Sequence, residues 1–519
     1  MAAKGRTEAI APSHQYEEVA MSDTALIERD EGKEGWAPPS KRAVALTVSS
    51  ASMGFFLFGY DTGIVSAALF YVSAKQNFDL DTGTDQETFV SSCIAAAIVG
   101  ASLVSICDKL VGRKTIVLVS ATLFTIGALL MAFCPVDMFW LLIVGRAIIG
   151  LAIGASSTVV PVYISEMAPA NIRGCLAVTN TAFCTGGQLM AAVIAYGLTF
   201  LDPTISWRYM LGIGAIPAIG QAISFSFMPE SPRWLLLKGQ REKAFAALKR
   251  LKRPDASHEA IGAELSYMAD ALAAERSNTM SARGACGAIC SSSRLLRLLF
   301  VGCFLQFTQQ IAGINTIMYY GSQIVQVALL NVSSTEPSSN YTTAPTNETD
   351  LSSGHVVVLV TAGFGFMNFL FTLVGIYLAD RFARRRLTLS SLVLVVIALA
   401  GTGVAFFLGR TYIALAGCGV YLAFFAYGMG PMPWTINAEL YPLSVRGLST
   451  GISTMTNWIS NMLVSRFFLN IITAYVGLFP SDSSSAASNK GARFFPSVFC
   501  PVILWYLLHS LLLSHLKQV

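Results

Sequence analysis

Twelve hydrophobic runs divide this chain of 519 residues, and each is long enough to cross a lipid bilayer as a helix. Crossing the hydrocarbon core takes roughly 20 apolar residues in helical conformation. Hydrophobic residues make up 54% of the chain and charged residues only 13%, which is unlike a soluble globular protein. The runs lie at 44–70, 90–107, 115–134, 138–160, 177–200, 207–228, 296–328, 355–379, 387–408, 412–437, 449–477 and 494–515. The sequence therefore predicts an all-α membrane protein with twelve transmembrane helices.

Basic residues are unevenly placed around these runs, and their placement predicts the orientation of the chain. Lys and Arg crowd into "DKLVGRK", into 229–297 and into "DRFARRR", whereas residues 330–354 contain neither. Because cytoplasmic loops carry the excess of Lys and Arg, both termini and the central segment are expected in the cytoplasm. Residues 330–354 are then outside, and Asn340 and Asn347 stand there in sequons that are expected to be glycosylated.

The remaining composition narrows the class of protein further. Residues 1–43 are polar and lack a secretory signal, so we expect a disordered cytoplasmic tail and a first span that directs insertion. Most of the ten cysteines lie in hydrophobic runs, and Cys286 and Cys290 have no histidine pair nearby to complete a zinc site. The chain shows no catalytic nucleophile motif. We expect no metal, no cofactor, no nucleic-acid partner and no enzymatic activity.

The two ends of the chain repeat one another. The stretch "SEMAPANIRG" around Glu166 returns as "AELYPLSVRG" around Glu439, with Pro three residues and Arg-Gly seven and eight residues after each glutamate. Gln188 lies 22 residues beyond Glu166, and Asn461 lies 22 residues beyond Glu439. Duplicated halves in a membrane can rock about a central site and open it to each side in turn. The sequence predicts two pseudo-symmetric six-helix bundles, 44–228 and 296–519, joined by a cytoplasmic helical linker at 229–295.

Eight motifs, in order, carry a specific resemblance. They are "FGYDTG", "GRAIIG", "PVYISEMAPANIRG", "PESPRWL", "FTQQIAGINTIMYY", "DRFARR", "GMGPMPWTINAELYP" and "NW". From Lys41 to the last span, the chain resembles the sugar porter family of the major facilitator superfamily. Within that family, "FGYDTG" together with "GMGPMPWTINAELYP" is most similar to the proton-coupled myo-inositol transporters.

Amide side chains in the seventh span match the chemistry of a polyol. Gln309, Gln310 and Asn315 present donors and acceptors without a charge, as the hydroxyl groups of a polyol require. Gln309 and Asn315 can contact one ligand if the helix bends near Gly313. The resemblance implies that these three residues are substrate contacts, together with Gln188, Asn368, Trp434 and Asn461. The alternative is that buried amides only hold the helices together.

One position bears on the choice of substrate. Hexose carriers of the family usually have an acid or another polar group eight residues before the tryptophan of "PMPW", and here that residue is Ala426. The resemblance therefore implies a neutral polyol, with myo-inositol preferred and a hexose as the alternative, carried by a proton-coupled or a facilitative mechanism.

Asp61 is the only charged residue between Val44 and Phe70. An isolated carboxylate at mid-membrane costs roughly 2.5–3.5 kcal/mol on insertion scales. Desolvation favours its neutral form, and a nearby cation such as Arg146 in the fourth span favours the charged form. We expect Asp61 to load a proton from one side and to release it as Arg146 approaches, which is proton symport. Proton-coupled members of the family carry Asp here, whereas the alternative is a permanent salt bridge between two spans.

Charged residues at the cytoplasmic helix ends form a second set. They are spaced to pair when the cleft is open outward and to separate on inward opening, so we expect a latch. The latch comprises Glu166, Arg173, Asp380, Arg381, Arg384, Glu439 and Arg446. Tyr319 and Tyr320 follow the amides of the seventh span, and the resemblance implies that they gate the substrate; the alternative is that they are interfacial aromatics.

Two other classes of protein stay open. A nutrient sensor could use the same pocket without turnover, although it would usually carry a longer signalling tail than these 43 residues. A multispan enzyme would need a catalytic constellation near one membrane face. The leading prediction is a multi-pass plasma-membrane symporter for a small neutral polyol and a proton, working by alternating access.

Overall fold

The computed structural model describes residues 38–477 except 75–76, 79, 81–82, 108–109, 169–172, 279–281, 334–353, 380, 409 and 443. Nearly all of this part of the chain is helical. The first group of helices is α1 (Lys41–Val72), α2 (Gly83–Cys107), α3 (Arg113–Ala132), α4 (Phe139–Met167), α5 (Arg173–Leu198), α6 (Pro203–Gly212) and α7 (Ala215–Ser226). The second is α12 (Ser293–Ile311), α13 (Ile314–Ser333), α14 (Gly354–Ala379), α15 (Arg384–Phe407), α16 (Thr411–Phe424), α17 (Met432–Glu439) and α18 (Arg446–Gly477).

The membrane spans agree with the hydrophobic runs. Among the described residues, ten helical segments are long and apolar enough to cross a membrane, and they correspond to the first ten predicted spans. The eleventh run, 449–477, lies within α18, and the twelfth, 494–515, lies outside the described residues. α2 begins at Gly83, earlier than predicted, because Gln86 and Glu87 are buried rather than solvated.

The linker contributes four short helices on one side of the bundle. These are α8 (Pro232–Leu237), α9 (Arg241–Leu251), α10 (His258–Asn278) and α11 (Ala282–Ser291). The backbone amide of Ser40 donates to the carbonyl of Leu251 at 2.8 Å, which ties the entry to α1 to the linker. We call this side the linker end of the bundle and the opposite side the far end.

The helices that pack between the two halves reflect the duplication. The halves meet where α5 packs on α14, where α2 packs on α18, and where α1 packs on α13. In terms of spans, the fifth contacts the eighth, and the eleventh contacts the second. The fifth and eleventh spans occupy corresponding places in the two halves, as do the second and eighth, so the two contacts are equivalent. The first and seventh spans, which correspond to each other, meet at the centre. The described helices therefore form two pseudo-symmetric bundles.

Close contact between α1 and α5 depends on two glycines. A Cβ at Gly59 would lie 1.8 Å from the carbonyl oxygen of Cys184, and a Cβ at Gly187 would lie 2.2 Å from that of Phe56. Small residues let transmembrane helices approach to backbone contact. Gly59 comes two residues before Asp61 and Gly187 comes directly before Gln188, so this crossing fixes the positions of two predicted site residues.

Two spans of the second half are broken at the level of the amides. Gly313 has a φ of +87° between α12 and α13, so the seventh span is interrupted there, as contact of Gln309 and Asn315 with one ligand would require. The tenth span is interrupted by a π turn at Phe425–Met429, followed by Pro431 and Pro433. Such breaks leave backbone carbonyls without helical partners, and these must find other donors inside the membrane.

Candidate functional site

The predicted amides of the seventh span lie in one hydrogen-bonded cluster. The Asn315 side-chain amide donates to Gln310 Oε1 at 2.6 Å, and Gln310 Nε2 donates to Asn457 Oδ1 at 2.9 Å. Asn457 Nδ2 in turn donates to Gln309 Oε1 at 2.9 Å and to Gln306 Oε1 at 2.8 Å. Asn457 on α18 is therefore the centre of the cluster. Asn315 is half-buried and lies at its rim.

Gln309 also closes the break in the tenth span. Its Nε2 donates to the carbonyls of Met429, at 3.0 Å, and Gly430, at 2.7 Å, next to the π turn. Both amide hydrogens are used in this conformation, which leaves an acceptor lone pair on Oε1 for a ligand. Gln309 therefore holds the backbone of the tenth span, as the structural alternative for the amides requires, and its role as a substrate contact stays a prediction.

Gln188 and Asn368 lie apart from this cluster and join the two halves. Asn368 Nδ2 donates to Gln188 Oε1 at 2.8 Å across the interface between α5 and α14. Beside them is a cavity of about 20 Å³ lined by residues of α1, α5, α13 and α14, including Gly63, Ala67 and Met318. That volume holds about one water molecule. The halves are closed on each other here, with too little space for a six-membered ring.

The other predicted contacts differ in their surroundings. Asn461 Nδ2 donates to the hydroxyl of Tyr319 at 3.5 Å, and Asn461 Oδ1 is buried without a hydrogen bond among the described residues. Tyr320 is fully buried, donates to the carbonyl of Ser465 at 2.7 Å and stacks on a ring of α18, so it is packed as a helix contact here. Trp434 is 37% exposed at the start of α17.

Asp61 lies at the centre of the first half with Arg146 as its partner. Arg146 donates to Asp61 Oδ1 at 2.5 Å, and Cys93 Sγ donates to Asp61 Oδ2 at 3.6 Å. Arg146 also donates to the carbonyl of Phe89 at 3.3 Å and lies over the Phe89 ring. Asp61 is 5% exposed and Arg146 1%. The predicted pair is formed, and both members belong to the same half.

Tyr319 connects this pair with the second half. It lies on α13 near enough to Asp61, Cys93 and Arg146 to interact with them electrostatically. Its hydroxyl also accepts the hydrogen bond from Asn461. One phenol thus stands between the buried ion pair of the first half and an amide of the second.

A second buried ion pair joins the halves near the far end. Arg466 of α18 donates to Glu87 of α2 at 2.7 Å, with the side chains 31% and 0% exposed. Nearby, the backbone amide of Ser322 donates to Ser66 Oγ at 2.8 Å, linking α13 with α1. These contacts hold the far end closed in this conformation.

Three of the predicted latch residues at the linker end, Glu166, Arg384 and Glu439, form ion pairs within their own halves. Arg113 binds Glu166 with both side chains almost fully buried, at 3.2 Å, and Arg384 binds Glu439 at 2.8 Å with both partly exposed. Arg446 donates to the carbonyl of Tyr441 at 3.0 Å. Arg381 stacks on the ring of Tyr377. Asp380, the side chain of Arg173 and the sequon residues Asn340 and Asn347 lie outside the described residues.

The motif "PESPRWL" anchors the start of α3. Glu230 accepts from the backbone amides of Lys114, at 3.1 Å, and Ser231, at 2.9 Å. Burial raises the pKa of the Glu230 carboxyl, and those hydrogen bonds together with the charge of Arg113 oppose the rise. A carboxylate at a helix N-terminus stabilises it through its orphan amides and its dipole.

The residues of these networks that were not predicted include Gln306, Asn457, Glu87, Arg466 and Arg113. Asn457 was quoted within the motif "NW", and its spacing of one helical turn before Asn461 was a usable signal. Arg466 is a lone charge inside the eleventh hydrophobic run, which by itself suggests function. Glu87 resembled a solvated loop residue because it precedes the predicted start of its span.

Two similar helical halves, closed in the described part of the chain around buried amides and a buried ion pair, define a membrane carrier of the major facilitator type. The chain belongs to the sugar transporter family: the profile described as "Sugar (and other) transporter" matches residues 47–482.

Known proteins of this class share both sequence and fold with it. The chain is 32% identical to the human "Proton myo-inositol cotransporter", over 81% of this chain and 74% of that protein. It is 33% identical to the "Probable inositol transporter 2" of Arabidopsis thaliana, over 82% and 83%. The fold matches the partially occluded xylose transporter XylE from E. coli with a TM-score of 0.70, 23% identity and coverage of 90% and 97%.

Proposed function

We propose that this protein carries a neutral polyol, with myo-inositol as the preferred substrate, together with a proton across the plasma membrane. The linker end and both termini face the cytoplasm, following the distribution of Lys and Arg. Relatives that share about a third of the sequence over most of the chain are named as inositol transporters, one of them proton-coupled. These similarities support the substrate class, and the buried ion pair supports coupling.

The observation that carries the proposal is the position of Asp61. Its carboxylate lies in the membrane interior, paired with Arg146, and Tyr319 links its surroundings to Asn461. A substrate that engages Asn461 or Tyr319 changes the electrostatic environment of the pair. Protonation of Asp61 frees Arg146 from its partner, so proton binding and substrate binding act on the same set of contacts.

The substrate site in this proposal lies between the amide cluster and the interface between the halves. Asn461 Oδ1 is a buried acceptor without a partner among the described residues, and Asn315 is accessible at the rim of the cluster. Gln310 is hydrogen-bonded to Asn315 and to Asn457, which joins this rim residue to the rest of the cluster. Gln188 and Asn368 supply amides from the interface itself, and Trp434 supplies an apolar face. Opening the interface by rocking makes the room that the present cavity lacks.

Opening and closing follow the charged contacts at each end. The far end is closed by Glu87 and Arg466, which must separate before substrate enters from outside. At the linker end, Glu166 and Glu439 hold Arg113 and Arg384 within their own halves, so these cations are engaged while the far end is closed. In the outward-open state, the linker-end charges are proposed to pair between the halves.

The experiment replaces Asp61 with asparagine and measures radiolabelled inositol in sealed vesicles. One proton moving through 100 mV supplies about 2.3 kcal/mol, which corresponds to about fifty-fold accumulation of a neutral solute. The Asp61→Asn variant should lose this accumulation and keep exchange of labelled for unlabelled inositol. Asp202→Asn is the matched control, because Asp202 is an exposed helix cap and asparagine caps equally well. Full accumulation by the Asp61 variant would refute proton coupling through this residue.

Substrate choice is measured with the parent protein. Uptake of inositol, glucose and xylose is compared in a cell that lacks its own carriers, at two external pH values. Ala426 lies buried in the π turn, where hexose carriers usually have a polar group, and this favours inositol over glucose. Preferential uptake of glucose or xylose would overturn the inositol assignment, and the alternative of a hexose carrier would replace it. Uptake that is indifferent to pH would make the protein a facilitative carrier.

A further inference from the structure

Two cysteines on the short helix α11 are the exposed thiols closest to a membrane span in the described part of the linker. Cys286 and Cys290 are both exposed and stand four residues apart, hence on one face of the helix. The opposite face is fixed, because Ala285 and Ile289 are each only 3% exposed and pack against Val445 at the start of α18. The packing therefore holds both thiols on the outer surface.

The surroundings of these thiols place them at the membrane surface. α12 begins two residues after α11, at Ser293, and its side chains Leu296 and Phe300 are 51% and 57% exposed, as lipid-facing residues are. Arg294 and Arg297 are exposed on the same first turns of α12, at the level where cations meet lipid headgroups. Among the residues of α11 whose exposure is described, the other exposed ones are Gly284, Gly287 and Ser291, and these small residues leave access to both sulfur atoms open.

We infer that Cys286 and Cys290 are sites of reversible S-acylation by a long-chain fatty acid. Amphipathic or juxtamembrane helices with accessible cysteines are the usual substrates of this modification. The chains would enter the bilayer beside Leu296 and Phe300, while the apolar face of α11 stays on the protein. The position favours a lipid modification over zinc, since no His or acidic side chain stands within the exposed face of α11.

The chemistry is a thioester exchange that needs no oxidant or metal. The cysteine sulfur attacks the carbonyl carbon of a long-chain acyl-coenzyme A, and the carbon–sulfur bond to coenzyme A breaks as the new one forms. The proton of the cysteine thiol ends on the released coenzyme A thiol. Two acyl chains anchor a segment far more stably than one, and two thiols are available.

Acylation is measured on the full chain expressed in a eukaryotic cell, by blocking free thiols and then exchanging hydroxylamine-sensitive acyl groups for a mass tag. We expect up to two tags on the parent, one on Cys286→Ser and on Cys290→Ser, and none on the double variant. Cys107→Ser is the matched control, because Cys107 is a half-buried thiol at the same end of the bundle, and its tags should be unchanged. Absence of tags on the parent, or tags that persist in the double variant, would overturn the inference. Thiols released by a reductant rather than by hydroxylamine would do so as well.

The inference rests on the cytoplasmic orientation proposed above, and a second measurement separates the two. A membrane-impermeant maleimide is applied to intact and to permeabilised cells after hydroxylamine treatment. Labelling of Cys286 and Cys290 in intact cells would overturn the orientation and the acylation together. Labelling only after permeabilisation, without any mass tag, would overturn the acylation alone. Inositol uptake by the double Ser variant should equal that of the parent, which shows that the variant is folded.

Discussion

Replacing Arg466 with methionine would remove the ion pair with Glu87 that joins the two halves of the carrier. Removing one member of a buried ion pair costs roughly 3–5 kcal/mol when both are fully desolvated. Here the Glu87 side chain is 0% exposed and that of Arg466 is 31% exposed, so the pair is only partly desolvated and the cost is smaller. We therefore expect about 1–2 kcal/mol. The cost applies to the closed far end only, because Glu87 becomes hydrated when α18 moves away. The population of far-end-open protein should rise about 5- to 30-fold.

The two single substitutions should differ in size. Glu87→Gln leaves a cation that is already one third exposed, so we expect a shift of about threefold or less. Arg466→Met takes the cation from a carboxylate that is fully buried in the closed state. The double variant removes both charges and should return close to the parent. This asymmetry and the recovery follow from burial and would not follow from a loss of packing alone.

The assay uses a cysteine inside the interface. Ala67 is 3% exposed and lines the closed cavity, so Ala67→Cys reacts with an external impermeant maleimide only when the far end opens. The exposed thiols Cys286 and Cys290 are first replaced with serine. The reaction rate then reports the open population, and it should rise with Arg466→Met.

An arginine away from the interface provides the control. Arg410 is exposed at the far end, before α16, and Arg410→Met should not alter the labelling rate. Equal rates for Arg466→Met and the parent would refute the proposed role of the pair. A double variant that labels as fast as Arg466→Met would show that the effect is not electrostatic.

Three further substitutions test other parts of the structure. Asn457→Leu removes a hydrogen-bond partner from three glutamine side chains. It should raise the KM for inositol about 10- to 100-fold with little change in kcat. The neighbouring substitution Thr456→Val is the control and should leave both KM and kcat unchanged. Gly112→Ala places a Cβ 2.1 Å from Glu230 Oε2 and should lower stability by about 0.5–2 kcal/mol in thermal unfolding, as loss of a helix cap does; an unchanged Tm would contradict this. Gly313→Ala forces a side chain into φ +87° and should cost about 1–2 kcal/mol in the same assay, which a Tm equal to the parent's would refute.

The membrane architecture was predictable because it depends on properties that each segment carries by itself. Run length and apolar composition determine the spans, and the duplicated motifs around Glu166 and Glu439 imply that corresponding spans occupy corresponding places. The bend at Gly313 followed from a glycine among buried amides. These features require no knowledge of which segments touch.

Pairings between distant segments were not predictable in this way. Glu87 and Arg466 are 379 positions apart, and nothing in the sequence around either residue predicts its contact with the other. Arg113 was overlooked because any of several linker-end cations could have paired with Glu166. Asn457 was overlooked because the sequence around a residue that orients other side chains does not differ from the sequence around a residue that only packs in the core. The sequence pattern can indicate that a polar side chain is buried and needs a partner. The identity of that partner follows only from the packing of α2 against α18.

The structure also changes the account of coupling. Asp61 and Arg146 lie in the same half, so a rigid rotation of one half against the other leaves their separation unchanged. Rocking instead changes the position of α13. This helix carries Tyr319, which lies next to the ion pair and whose hydroxyl accepts a hydrogen bond from Asn461. In the proposed coupling, the proton affinity of Asp61 therefore depends on the solvent and dipoles that α13 brings or removes, rather than on an approaching arginine. Because the same phenol also accepts a hydrogen bond from Asn461, which we propose as a substrate contact, cargo and proton in this proposal act on one movable helix and need no contact with each other.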